Sequence, residues 1–312
     1  GNVVGARLTR VAEEQNLRAE MSAHLLNVAD AVLQLKLNHE LTEQTAEAVR
    51  LTQSNLAEIR RRVSIGRNKR GDALKAEARL RQKQADLLAA EEREAQLKRY
   101  LVFLTGVLGE FSVNADTAPF TRDLTGKEEA DISRRADIAL GKTMLDLRKN
   151  ELLAAHGGHL PNIYLDGSYR PALDASQTTS YFGGVVAEVP FFQGGQVVEN
   201  QNIAASRVRQ AELELKRAER KARTELEDAR EAYLKAAGER TAYTESADAA
   251  EKNYRAQLSD LRLSLATTLD VIQAMEDLQL ARASRASAEY REAIARMRYF
   301  VALGFLFPEP KR

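Results

Sequence analysis

"LPNIYLDGSYRPALDASQTTSYFGGVVAEVPFFQGG", Leu160 to Gly195, interrupts a chain that is otherwise written as charged helix. In its first run Ile163, Leu165, Gly167 and Tyr169 share one face of an extended strand, while Asn162, Asp166, Ser168 and Arg170 share the other. The second run sets Tyr181, Gly183, Val185, Ala187, Val189 and Phe191 on one face and Gly184 and Glu188 on the opposite one, where Phe182 and Val186 break the polarity. Each run is about ten residues, the length a tilted strand needs to cross a bilayer. The aromatics Tyr164, Tyr169, Tyr181, Phe191 and Phe192 lie toward the ends, where an interfacial girdle would sit. Taken alone, the stretch fits equally well an amphipathic hairpin packed on the protein's own helices.

The composition around it describes long thin helices rather than a thick globular core: 312 residues, 29% charged, 6% aromatic and no Trp. The 46 basic and 45 acidic residues leave a formal charge of +1, so nothing recommends nucleic acid as a partner. Cysteine is absent, which removes disulfides and thiolate metal sites. No run reaches the roughly 18 apolar residues of a transmembrane helix.

From about Val3 to Val63 there is no Pro and no Gly after Gly5, and apolar residues recur every seven positions, as in Ala12, Ala19, Leu26 and Leu33. This predicts a helix of roughly 60 residues, about 90 Å long. "SIGRNKRGD", Ser64 to Asp72, breaks it, and a second helix is expected over about 72–104. Gly106, Gly109, Pro119 and Gly126 mark an irregular segment, followed by a helix from about Glu128 to Ala155. After Gly194-Gly195 the longest helix is expected over about 197–263, with a small-residue seam of Ala204, Val208, Ala211, Leu215, Ala218, Ala222, Ala229 and Ala236 that suits tight helix pairing. A last helix covers about 267–301 and stops at Gly304 and Pro308.

The two halves read as a repeat. An offset of 198, which sets Gly304 against Gly106, brings Asn253, Asp270, Ala274 and Leu278 onto Asn55, Asp72, Ala76 and Leu80 without a gap. Agreement in Ala- and Glu-rich helices is partly cheap, but the coincidence of both helix breaks and both glycine ends is not.

This order of elements resembles the TolC family of outer-membrane efflux and secretion channels. The matching pieces are Leu160-Pro161 opening the first strand, Val189-Pro190-Phe191-Phe192 and Gly194-Gly195 closing the second, and the tips "IGRNKRGDALKAE" (Ile65 to Glu77) and "LSLATTLDVIQAMED" (Leu263 to Asp277). The resemblance implies a mainly α protomer with one β-hairpin, internally duplicated. Its long antiparallel coiled-coil helices would join an α-barrel and its strands a transmembrane β-barrel, in a homotrimer. The expected division is a first helical hairpin over 1–105, an equatorial segment over 106–130, an ascending helix over 131–159, the β-hairpin over 160–195, a second helical hairpin over 196–304 and a tail over 305–312. Closure into a barrel also follows from physics, because a lone hairpin in lipid leaves unpaired backbone groups at its edges, each costing several kcal/mol. Family members carry four strands per protomer, whereas this chain opens at "GNVVGARLTR", where the first descending helix would begin. Three copies would thus supply only six strands, and the expectation is a fragment lacking the first helix and first hairpin, the alternatives being a disordered first hairpin or a membrane region of variant architecture.

The resemblance further implies a passive conduit without catalysis or cofactor, in the outer membrane of a Gram-negative bacterium with a large periplasmic portion. It would serve a tripartite efflux pump or a type I secretion system and meet a periplasmic adaptor and an inner-membrane transporter. The alternative is a periplasmic coiled-coil adaptor or scaffold with no pore, although such an adaptor should carry compact β domains beside its helices. By the same resemblance Asp270, with Asp72 as its counterpart, falls at the periplasmic entrance, where the next acidic position of the family is Gln273 here. Each Asp also fits a plain helix N-cap. Ile65, Gly66, Leu263 and Ser264 fall where the family meets its adaptor, and Arg67, Lys69 and Arg70 extend the basic run of Arg60, Arg61 and Arg62 at the first tip. That run reads as a solvated face or as a dock for an acidic partner. Lipid would face Ile163, Leu165, Tyr169, Tyr181, Val185, Val189 and Phe191. His156 and His159 flank Gly-Gly and lack a third ligand nearby, so no metal is expected. Gly194-Gly195 comes without a phosphate-binding motif and reads as a strand-to-helix bend.

Overall fold

The computed structural model describes residues 2–66, 68–107, 131–171, 179–189, 194–263 and 265–305. Its elements are α1 (Asn2–Ser64), α2 (Arg70–Thr105), α3 (Ala136–His156), β1 (Asn162–Arg170), β2 (Ser180–Glu188), α4 (Gln196–Arg262) and α5 (Thr268–Ala302). Short 3-10 turns at Ile132–Arg134 and Gly157–His159 precede and follow α3. The heptad stretches thus form helices of 63 and 67 residues, α1 and α4. The ends of the two helix pairs keep one spacing: Ser64 and Arg262 close α1 and α4, Arg70 and Thr268 open α2 and α5, both 198 apart.

The chain divides into two compact units. The larger comprises Glu20–Ile132 and Arg223–Arg312. Here α1 buries two faces. Ala31 and Leu35 meet Leu97 and Leu101 of α2, and farther along Leu56 and Ile59 meet Ala76 and Leu80. Leu33, on the other face, meets Ile294 and Met297 of α5. Helix α5 in turn closes on α4 through Leu226, Tyr299, Phe300, Ala302 and Leu303, with Tyr233 stacked on Tyr299. Each fully buried Leu or Ile contributes about 1.5–3 kcal/mol, so these spaced clusters, not one central core, hold the helices in a row. Between them lie polar joints. Tyr290 of α5 donates to Asp30 of α1 at 2.8 Å, and burial followed by that carboxylate raises the phenol above its usual pKa. Glu251 of α4 takes Arg282 of α5 at 3.3 Å.

The smaller unit comprises Gly1–Ala19 and Ser133–Ala222. Helix α3 lies against the first turns of α1 and the first third of α4. A Cβ placed on Gly141 would stand 3.0 Å from Leu215 Cδ1, so the missing side chain is what lets α3 and α4 approach. Ala204, Val208 and Ala211 are buried on α4, as the small-residue seam predicts. The start of α3 differs from the expected Glu128. Residues 128–130 lie outside the described ones, and from Ile132 the backbone makes a 3-10 turn before Arg135 opens α3 in an extended conformation. The physical reason is local: Asp137 accepts both Arg135 guanidinium bonds, at 3.0 and 2.8 Å, and the Ile138 N–H at 2.9 Å, which fixes the helix start there.

Strands β1 and β2 pair antiparallel in one register, Ile163 with Ala187, Leu165 with Val185, Gly167 with Gly183 and Tyr169 with Tyr181. The two alternating patterns therefore coincide. One face holds only those eight residues, and all of their large side chains are exposed, Leu165 at 83% and Tyr181 at 86%.

Candidate functional site

Two places gather the residues singled out by the sequence: the helix tips and the hairpin. At the first tip Gly66 takes a left-handed backbone (φ 75°) and its N–H returns to Val63 O at 3.0 Å. Asp72, three residues after Lys69, accepts the Lys69 N–H at 3.2 Å and the Asn68 amide at 3.4 Å. Lys69 has no acceptor to offer in return, so only half of a reciprocal cap forms, and the Asp72 N–H settles on Lys69 O. At the second tip the reciprocal cap is complete. Thr267 Oγ1 accepts the Asp270 N–H at 3.2 Å, while Asp270 Oδ2 accepts the Thr267 N–H at 2.7 Å and its hydroxyl at 2.6 Å. The Thr267 hydroxyl, and then its N–H, hold the Asp270 carboxyl below the usual carboxylate range.

The two tips are joined. Ile272 of α5 packs into the cluster of Leu56, Ile59, Ala76 and Leu80, and Arg79 of α2 reaches Glu276 of α5 at 3.2 Å. Between them runs a groove of about 760 Å³, with Arg62, Asp72 and Lys75 on one side and Thr267, Thr268 and Leu269 on the other. Asp72 borders this groove. Asp270 is exposed and does not line the groove, and Gln273 borders a different cavity, where its amide donates to Asp277 at 3.1 Å. Ile65 and Leu263 are exposed at the tips, at 60% and 66%. Leu265 and Leu269 at the second tip are exposed as well, a pair that the sequence pattern did not single out although "LSLATTL" sets three leucines within seven residues across the break. In the basic run Arg60 pairs with Glu77 at 3.1 Å, and Arg61 and Arg62 pair with Glu58 at 2.6 and 2.9 Å. Lys69 and Arg70 are exposed; Arg67 and Ser264 lie outside the described residues, as do Pro190, Phe191 and Phe192. Val189 follows β2 directly and is exposed. His156 ends α3, and among the described residues no group of three or more His, Asp or Glu side chains could hold a metal.

On the hairpin, Ile163, Leu165, Tyr169, Tyr181 and Val185 share the apolar face. The other face carries Asn162, Tyr164, Asp166, Ser168 and Arg170 from β1 with Ser180, Phe182, Gly184, Val186 and Glu188 from β2. One face is thus uncharged with its large side chains exposed, while the other mixes Asp166, Arg170 and Glu188 with Tyr164, Phe182 and Val186, a two-sidedness that suits a wall between lipid and water.

Residues 131–304 match the family described as outer membrane efflux protein. The chain belongs to that family. It is a family of outer-membrane channels, not of enzymes, and its place is the outer membrane of a Gram-negative bacterium. The proteases secretion protein PrtF of Dickeya chrysanthemi is 25% identical over 269 residues, which are 80% of this chain and 58% of PrtF. The chain thus spans a little over half the length of that curated relative. Among solved structures, the outer membrane protein VceC of Vibrio cholerae superposes with a TM-score of 0.77 at 19% identity, covering 98% of this chain and 75% of VceC. The open-state MtrE outer membrane channel of Neisseria gonorrhoeae gives 0.80 at 20% identity, over 96% and 70% of the two chains. The Campylobacter jejuni CmeC outer membrane channel gives 0.79 at 17%, over 98% and 68%. At these identities the likeness is one of fold: long helix pairs and a strand pair in the order of TolC-like channels.

Proposed function

We propose that the chain forms part of a trimeric, passive conduit serving a tripartite efflux pump or a type I secretion system. The observation that carries this reading is the hairpin register, which collects an uncharged face of eight residues in the open on an otherwise charged chain. Lipid is the solvent such a face fits, and in lipid the edges of the pair must be satisfied by strands of neighbouring copies. In this reading Ile163, Leu165, Tyr169, Tyr181, Val185, Val189 and Phe191 face lipid. The common spacing of 198 between helix ends supports an internal duplication, with α1–α2 and α4–α5 as equivalent pairs in the wall of an α-barrel.

The tips then form the periplasmic entrance. Asp270 and Asp72, repeated around the oligomer axis, would set rings of carboxylates there, with Gln273 one turn farther on. Ile65, Gly66, Leu263, Ser264, Arg67, Lys69 and Arg70 would meet the helical tips of a periplasmic adaptor, itself bound to an inner-membrane transporter. Opening would move the two tips apart, and the contacts to be broken are those of Ile272 and the Arg79–Glu276 pair.

The test is reconstitution of the full-length protein, purified in detergent, into planar bilayers. Uniform conductance steps, together with a threefold assembly by mass measurement, are the expected result. A protein that stays monomeric and soluble without detergent and leaves the bilayer silent would instead be a periplasmic coiled-coil scaffold, and the reading would fail.

A further inference from the structure

The groove between the two tips has unlike walls. The α1–α2 side brings three cations to it, Arg62, Lys75 and Arg79, against one carboxylate, Asp72. The α5 side brings no charge: Leu269 and Ile272 line it together with the hydroxyl-bearing Thr267 and Thr268. Ile59 and Ala76, both buried, add apolar surface from the first wall. Arg62 is held by Glu58 at 2.9 Å and Arg79 by Glu276 at 3.2 Å, whereas Lys75 is exposed and has no ion pair among the described residues. Asp72 is not its partner, because that carboxylate turns to the Lys69 N–H and the Asn68 amide at the helix start. On the facing wall Leu269 is exposed at 66%. One wall thus offers an unmatched ammonium and the other an uncovered apolar side chain.

We propose that this groove binds a small amphipathic anion, a body of about two fused rings carrying one carboxylate or sulfonate head. Its volume of about 760 Å³ lies within the roughly 300–1,000 Å³ of small-molecule sites, which are typically apolar clefts with a few placed polar groups. Charge selects the head. A cation would meet three like charges, and an uncharged body would strip water from Lys75 without giving it a partner. A carboxylate or sulfonate pairs with the ammonium through a charge-assisted hydrogen bond. The body then covers Leu269 and Ile272, removing apolar surface from water. Because Lys75 belongs to α2 and Leu269 to α5, a molecule that meets both spans the two helix pairs. It binds only while the tips are together, and it holds them so by the factor 1 + [L]/Kd. Binding requires the groove alone; its effect on conduction rests on the reading of the tips as the entrance.

The probe is naphthalene-2-sulfonate, added to the full-length protein in an uncharged detergent, with amide hydrogen exchange followed in the first turns of α2 and α5. At ten times its dissociation constant it should slow exchange about tenfold at both tips. Lys75→Gln and Leu269→Ser, each at an exposed position, should weaken its affinity about fivefold. Methanesulfonate, a head without a body, and 2-naphthylmethylammonium, the same body with a cationic head, should give little protection. The proposal is overturned if the sulfonate protects neither tip or only one, if the ammonium compound or methanesulfonate protects as well, or if both variants bind it unchanged. A second arm separates this from the entrance reading. In planar bilayers, the sulfonate added on the side of the tips should lower the conductance of the parent channel and do so less in Lys75→Gln. Protection of both tips with conductance unchanged would keep the binding site and count against the tips as the entrance.

Discussion

The two helix tips have the same length of break and the same spacing from their neighbours, yet they are tied off by different chemistry. Gly66 and a half-formed cap close the first. Thr267 and Asp270 close the second with three mutual hydrogen bonds. The difference comes from one position, Lys69 against Thr267, because a hydroxyl can accept a backbone N–H and an ammonium cannot. The first tip should therefore be the one that frays, and the second the one that moves as a rigid turn. Local opening at each is readable by amide hydrogen exchange on the full-length protein in detergent.

The largest effect should come from what the tips share. Ile59 is 2% exposed and sits in the cluster that also receives Ile272 of the second pair. Ile59→Ala should cost about 2–5 kcal/mol of local stability and speed exchange at both tips, because the cavity loosens both helix pairs at once. Exchange that rises at the first tip alone would mean that the two tips do not lean on each other.

The caps should act separately. Thr267→Ala removes the acceptor for the Asp270 N–H and should cost about 1 kcal/mol, which is about fivefold faster exchange in the first turn of α5 with no change at α2. The reverse graft, Lys69→Thr, supplies the missing acceptor and should slow exchange at the start of α2 by a somewhat smaller factor. If Lys69→Thr does nothing, the asymmetry between the tips is not a matter of capping.

Much of this was legible in the chain. The helices announce themselves through heptads without Pro or Gly, and their ends through Gly66, Gly106 and Gly304, each with a left-handed backbone. The hairpin was legible because alternation has a period of two, and the register then only had to align two patterns that already agreed. The start of α3 was not, since it depends on a bidentate contact between Arg135 and Asp137 two residues apart rather than on hydrophobic period. Nor was the groove between the tips. It exists because Ile272 and Glu276 of α5 land on Ile59 and Arg79, some 200 residues away in the chain, and no local pattern encodes that meeting. Gln273 follows the same logic: its neighbour in the helix, Asp277, decides where its amide goes.

Acid should narrow the difference between the tips, by a smaller margin than the cap variants. The pKa of Asp270 is lowered from an ordinary value of 3.8 by the Thr267 hydroxyl and N–H, so the fold favours its charged form. A carboxylate with a depressed pKa contributes stability that is fully present above its unfolded value and is lost as the pH falls through the folded one. The second cap is therefore at full strength at neutral pH and weakens only below about 3.8, where the protonated acid accepts the Thr267 N–H less well. The first tip is not inert in acid, because Glu58, held below its ordinary 4.5 by Arg62 and Arg61, loses its pairs in the same direction. The comparison is cleanest in a Glu58→Gln background, with exchange corrected for the intrinsic chemical rate. There the second tip should lose protection relative to the first as the pH drops below 3.8, and Asp270→Asn should abolish that drift. A drift that persists in Asp270→Asn would place the titrating group elsewhere and remove the carboxylate from the account of why the second tip is firmer.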